Sequence, residues 1–217
     1  MEIKFDEQVA IVTGAGRGLG RAHAIAMASK GAKVVVNDFS GSQEISENAN
    51  SVVEEIISAG GEAIANGANV ANFDQVQCMV NETIDKWGRV DILVNNAGIL
   101  RDKTFLKMSV EDMREVIDVH LMGSLNCSKA VWETMREQSY GRIVLTSSSS
   151  GLYGNFGQTN YGAAKMAMVG IMNTLHLEGM KYNIKVNCLA PTAGTAMTDG
   201  LFPEPVFKLM PPESASP

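Results

Sequence analysis

Three cysteines in 217 residues, Cys78, Cys127 and Cys188, are too few and too widely spaced to staple a fold or to form a CxxC metal site. They are expected to be buried free thiols in a reducing compartment, with no disulfide framework and no bound metal. A basic block is also missing. The 18 Lys and Arg are interleaved with 24 Asp and Glu for a net charge of −6, so no positive stripe offers itself to a phosphate backbone, which argues against nucleic acid as a partner. No segment runs for the roughly 18 apolar residues that a membrane span needs. The opening residues carry Glu2, Lys4, Asp6 and Glu7 where a cleaved leader would have an apolar core. A soluble, cytoplasmic protein is expected. Proline is scarce before Pro203 and dense after it, so residues 203–217 are expected to form an irregular tail behind a single domain over 1–202.

Against these absences stands a regular alternation. With 45% apolar residues the chain can bury one substantial core. Short β-rich runs at 9–13, 34–37, 62–66, 91–95, 142–146 and 185–189 alternate with helical patterns at 19–29, 49–59, 73–86, 109–137 and 160–179. Gly31, Gly60 and Gly88 close three of the helical runs. Strand and helix in strict alternation predict an α/β fold of Rossmann type, a doubly wound parallel sheet in three layers.

The first strand runs into Thr13-Gly14-Ala15-Gly16-Arg17-Gly18-Leu19-Gly20 and then an Ala-rich helix. Glycines there allow a tight turn that lets a pyrophosphate approach the helix N-terminus, which selects Gly14, Arg17, Gly18, Leu19 and Gly20 as candidate contacts. A glycine-rich octapeptide alone is weak, since a flexible loop looks the same. The second strand ends at Asp38, 20 residues beyond Gly18, where a carboxylate can accept both ribose hydroxyls of an adenosine. The same charge repels a 2′-phosphate, so NAD is expected over NADP. Arg17 pulls the other way as a possible phosphate ligand, but is read as a solvated loop residue. The fourth strand closes on Asn95-Asn96-Ala97-Gly98, at the carboxyl edge where such sheets bind ligands.

Tyr161 and Lys165 lie four apart and share one face of a helix, so the ammonium is expected to lower the phenol pKa. Ser148, just after the fifth strand, can hydrogen-bond a substrate oxygen. His120 falls at helical spacing with Met113, Val116 and Ile117, as a core histidine would. The serine run 147–150 lacks a GxSxG elbow, which argues against a hydrolase. Met166, Met168, Met172 and Met180 are read as packing, with an adaptable acyl-chain lining as the alternative.

Taken in order, TGAGRGLG, NNAG, the Ser148/Tyr161/Lys165 set and APTAG at 190–194 resemble the short-chain dehydrogenase/reductase family over residues 5–200. Within it ILRD, VHLMGS, YGNFGQ and APTAG are similar to the (3R)-hydroxyacyl-CoA dehydrogenase domains of peroxisomal multifunctional enzymes of type 2. The resemblance implies Tyr161 as general acid/base, Ser148 orienting the substrate oxygen, and Lys165 binding the nicotinamide ribose and tuning Tyr161. It implies further cofactor contacts at Asn96, Ala97, Gly98, Thr192 and Gly194, and at Asn69 and Val70 beside the adenine. His120 stands where most of the family has the Asn of a proton relay, so relay and core histidine both remain open. An acyl-CoA substrate, with Arg101, Lys103 and Lys107 as candidate phosphate contacts, and a dimeric or tetrameric assembly are also implied. A peroxisomal setting follows if the chain is part of a larger eukaryotic enzyme. The family pattern continues through one more helix and a seventh strand, which have no counterpart in this sequence up to Pro217. A steroid, sugar or other small-alcohol dehydrogenase, or a dinucleotide sensor without turnover, are the competing expectations.

Overall fold

Unbroken apolar runs become the centre of the sheet. In the computed structural model, which describes residues 3–42, 44–195, 198 and 203–216, β1 (Val9–Thr13), β2 (Lys33–Asn37) and β4 (Ile92–Asn95) are buried along almost their whole length. Strands covered on both faces must read this way. With β3 (Glu62–Asn66), β5 (Gly141–Thr146) and β6 (Ile184–Leu189) they form a six-stranded, wholly parallel sheet in the order β3-β2-β1-β4-β5-β6. This is the expected Rossmann-type α/β fold.

Successive residues of a strand point to opposite faces, and two cores result. Val12, Val34 and Val36 pack against Ala24 of α1 (Gly18–Ser29) and Val52 and Ile56 of α2 (Glu47–Ser58). Ile11, Leu93 and Ile143 pack against Met79 of α3 (Phe73–Trp87), Met135 of α5 (Gly123–Gln138) and Met168 of α7 (Thr159–Gly179). At the amino edge the fully buried Asp91 carboxylate accepts from Val9 N–H at 2.9 Å and from the Arg89 guanidinium at 2.7 and 2.8 Å, joining the starts of β1 and β4. At the carboxyl edge the chain winds outward in opposite directions from β1 and β4, and that reversal opens a crevice.

Four expectations change. The helix expected over 109–137 is two, α4 (Val110–Ile117) and α5, joined by a π turn over Asp118–Met122. One extra residue in a turn shifts the phase of an apolar stripe too little for periodicity to reveal it, and Ser124 Oγ donates to the His120 carbonyl at 2.7 Å in the widened turn. A short helix, α6 (Ser149–Tyr153), follows β5 and is capped by Ser148. The tail is not irregular. It holds α8 (Glu204–Lys208) and a 3-10 turn over Pro212–Ala215, because Pro203, Pro211 and Pro212 sit at helix starts, where no amide hydrogen is needed. Finally, the cysteines are not all buried: Cys127 is, Cys188 is partly covered, and Cys78 is exposed.

Candidate active site

The crevice between β1 and β4 is built by local hydrogen bonding. Thr13 Oγ1 accepts from the amides of both Asn96 and Ala97 at 3.1 Å, and Asn96 Nδ2 donates to the carbonyls of Thr13 at 2.9 Å and Gly14 at 3.1 Å. The end of β4 thereby clasps the glycine loop. Arg17 at the N-cap of α1 makes no side-chain cap, so the first amides of that helix have no such partner and carry its positive dipole end.

The resulting cleft, of ≈250 Å³, is lined by Gly14, Arg17, Gly18 and Leu19, by Asp38, by Asn69 and Val70, and by Asn96, Ala97 and Gly98. Arg17 itself is exposed and Asp38 half-buried. Gly20 and Gly194 lie outside it. Gly20 packs where a Cβ would stand 2.2 Å from the Gly14 carbonyl oxygen, and Gly194 donates its amide to Met210 in the tail at 2.6 Å. An α-helix start and a carboxylate lining one cleft suit a molecule carrying a pyrophosphate and a ribose diol, so these residues fit a nicotinamide dinucleotide.

A second cleft of ≈220 Å³ shares Leu19, Asn96, Gly98 and Thr195 with the first and brings together Ser148, Tyr161, Lys165, His120 and Thr192. Burial raises the Tyr161 phenol above its ordinary pKa; a hydrogen bond with Ser148 opposes this and the charge of Asp102 adds to it. The expected lowering by Lys165 is therefore corrected. Lys165 Nζ lies over the Tyr161 ring, 5.6 Å from its centroid, and donates to the Thr146 carbonyl at 2.6 Å. Burial brings the ammonium itself down to about 7.

His120 is 2% exposed and edge-on to Tyr161, with ring centroids 5.2 Å apart. Its Nε2 lies 2.8 Å from the Ile99 carbonyl oxygen and 3.0 Å from the Ile99 amide, donating or accepting according to the tautomer, while Nδ1 is buried without a partner. Burial first, and the nearby Lys165 charge second, hold it down to about 3 against the backbone contact with Ile99, so the ring is neutral. Gly98 makes this possible, since a Cβ there would lie 2.2 Å from His120 Cε1.

Several residues here escaped the sequence reading. Gln158 donates to Asp102 at 2.7 Å and accepts from Asn155 at 3.0 Å, and both amides line the second cleft. Their placement three and six residues before Tyr161 was the available clue. The cations proposed for CoA phosphates are mostly engaged: Arg101 pairs with Glu115 and Lys103 with Asp112, leaving Lys107 exposed. None of the four methionines lines either cleft; Met168 is core, whereas Met166 and Met180 are exposed.

The family model described as short chain dehydrogenase matches residues 8–205. The chain belongs to the short chain dehydrogenases. It is thus an oxidoreductase acting on CH–OH groups with NAD or NADP. This short chain dehydrogenase is 47% identical over 220 residues to peroxisomal multifunctional enzyme type 2 of Drosophila melanogaster, covering 100% of the chain but only 36% of that enzyme. It is 47% identical over 205 residues to a 3-oxoacyl-(acyl-carrier-protein) reductase of Synechocystis, covering 94% of the chain and 81% of that protein. A crystal structure of a short chain dehydrogenase from Mycobacterium avium superposes with a TM-score of 0.89 at 43% identity, covering 98% of this chain and 76% of that one. No helix among the described residues of the dehydrogenase is long and apolar enough to cross a membrane.

Proposed function

We propose that the chain is an NAD-dependent dehydrogenase that interconverts a (3R)-hydroxyacyl-CoA and the 3-ketoacyl-CoA. The observation that carries the reaction is the meeting of Ser148 and Tyr161 in a cleft that shares lining residues with the one lined by Asp38. The Asp38 carboxylate supports NAD, because it accepts ribose hydroxyls and repels a 2′-phosphate. When bound, the dinucleotide supplies the acceptor for the hydride that leaves C3. Ser148 and Tyr161 hold the C3 oxygen, and Tyr161 exchanges the proton of that oxygen. The raised phenol pKa keeps Tyr161 protonated at neutral pH, which suits donation to an oxygen gaining charge in the reducing direction. Lys165, anchored at Thr146, stands beside the ring as the ribose contact. Neutral His120 buttresses the ring edge and, through its unpartnered Nδ1, is the proposed relay toward Lys165.

The thioester substrate rests on the similarity to the multifunctional enzyme, and the similarity to the carrier-protein reductase supports a 3-ketoacyl thioester of another carrier as the second reading. Measuring kcat/KM with NAD for (3R)- and (3S)-hydroxyacyl-CoA tests the assignment. Strong preference for (3R) is expected; equal rates, a (3S) preference or turnover of non-thioester alcohols alone would overturn it.

A further inference from the structure

Asp38 does not stand alone. At the start of α2, Ser46 is 5% exposed; its Oγ accepts from Ala49 N–H at 3.0 Å, capping the helix, and donates its one proton to Asp38 Oδ2 at 2.8 Å. The bookkeeping is forced: the helix amide uses the hydroxyl as an acceptor, so its proton is free only for the carboxylate. The carboxylate is confined from the other side as well. A Cβ on Gly16 would lie 2.3 Å from Asp38 Oδ2 and 2.8 Å from Asn48 Cβ, so the glycine loop, the end of β2 and the first turn of α2 all close on this one oxygen. Phe39 and Ile45 pair in an isolated antiparallel bridge, which brings Ser46 back to Asp38.

We infer that Ser46 is the positioning residue of cofactor selectivity: it locks the Asp38 carboxylate in one orientation, with Oδ2 held at the protein side and Oδ1 presented to the ribose diol. The inference rests on the proposed role of Asp38. A short side chain with a free terminal torsion would otherwise lose rotational freedom when the ribose binds; prior ordering by Ser46 removes that cost and keeps the charge aimed at the place a 2′-phosphate would occupy. Sequence distance hides the pair, because the two are eight positions apart in the chain.

Ser46→Gly is the informative variant, since glycine loses the donor yet costs an N-cap only little. Ser46→Ala, which loses both donor and cap, and Ser46→Thr, which keeps both, complete the set. Ser46→Gly should raise KM for NAD about three- to tenfold, the range for ordering one side chain, with the effect falling on KM rather than kcat. It should also narrow the preference for NAD over NADP. Ser46→Thr should behave as wild type. The decisive measurement is a double-mutant cycle with Asp38→Ala, read both as KM and as the dissociation constant of NAD from fluorescence titration without substrate. If Ser46 acts through the carboxylate, Ser46→Gly changes KM for NAD in the wild-type background and leaves it unchanged in Asp38→Ala. Equal effects in both backgrounds, or no effect in either, would overturn the inference. A wild type that prefers NADP, or an Asp38→Ala variant with unaltered cofactor preference, would instead refute the reading of Asp38 itself.

Discussion

Replacing Gly98 by Ala adds one carbon where the His120 ring already is. The new Cβ would lie 2.2 Å from Cε1 and 3.0 Å from Nδ1, against the roughly 3.5–4.0 Å at which carbon atoms rest. The ring must move by more than an ångström in a site where it is 2% exposed. Overpacking of this kind costs about 1–3 kcal/mol, and loss of the Ile99 hydrogen bond to Nε2 adds about 1 kcal/mol. For a chain of this length, each kcal/mol lowers Tm by about 2–4 °C, so a fall of about 5–15 °C is expected. Activity should fall too, because the displaced ring no longer supports the edge of Tyr161. The assay is thermal unfolding of four proteins: wild type, Gly98→Ala, His120→Ala and the double variant. Once the imidazole is gone the added methyl has room, so Gly98→Ala in the His120→Ala background should cost under about 1 kcal/mol, a coupling of about 1–3 kcal/mol. An equal cost in both backgrounds would refute the close approach as the reason for glycine at this position.

Tyr161→Phe should keep the packing and lose the proton carrier, so turnover should drop about 10²- to 10⁴-fold while NAD affinity, read by fluorescence titration, changes little. Retention of more than about a tenth of the rate would remove Tyr161 from its role. Because burial holds His120 down to about 3 from 6.5, the unfolded chain takes up a proton between those values and the native protein does not, so stability is lost as pH falls below 6.5. The contribution of this one ring is about 2 kcal/mol at pH 5, and urea midpoints of His120→Gln should therefore decline less from pH 7 to pH 5 than those of wild type.

What the sequence determined by itself are the features whose physics is local. The unbroken apolar runs Val9–Val12 and Val34–Val36 can only be strands buried on both faces, and the alternation with helical runs leaves a parallel sheet as the way to cover them. The interval from Gly18 to Asp38 spans one helix and one strand, and this places the carboxylate in the lining of the first cleft. Four-residue spacing puts Tyr161 and Lys165 on one face of α7. Tertiary structure decided what depends on neighbours remote in the chain. The π turn that carries His120 inward against Gly98 leaves no trace in periodicity. The direction of the Tyr161 shift follows from burial, which no spacing encodes, and from the Asp102 charge, with the Ser148 hydrogen bond opposing both. Arg101 and Lys103 are neutralised by Glu115 and Asp112 on a helix 14 and 9 residues away, and Gly194 is turned toward Met210 instead of the cleft. In each case the deciding quantity is desolvation or a hydrogen bond whose partner is chosen by packing, and a single sequence gives residue order without saying which of the many compatible partners the folded chain brings within 3 Å.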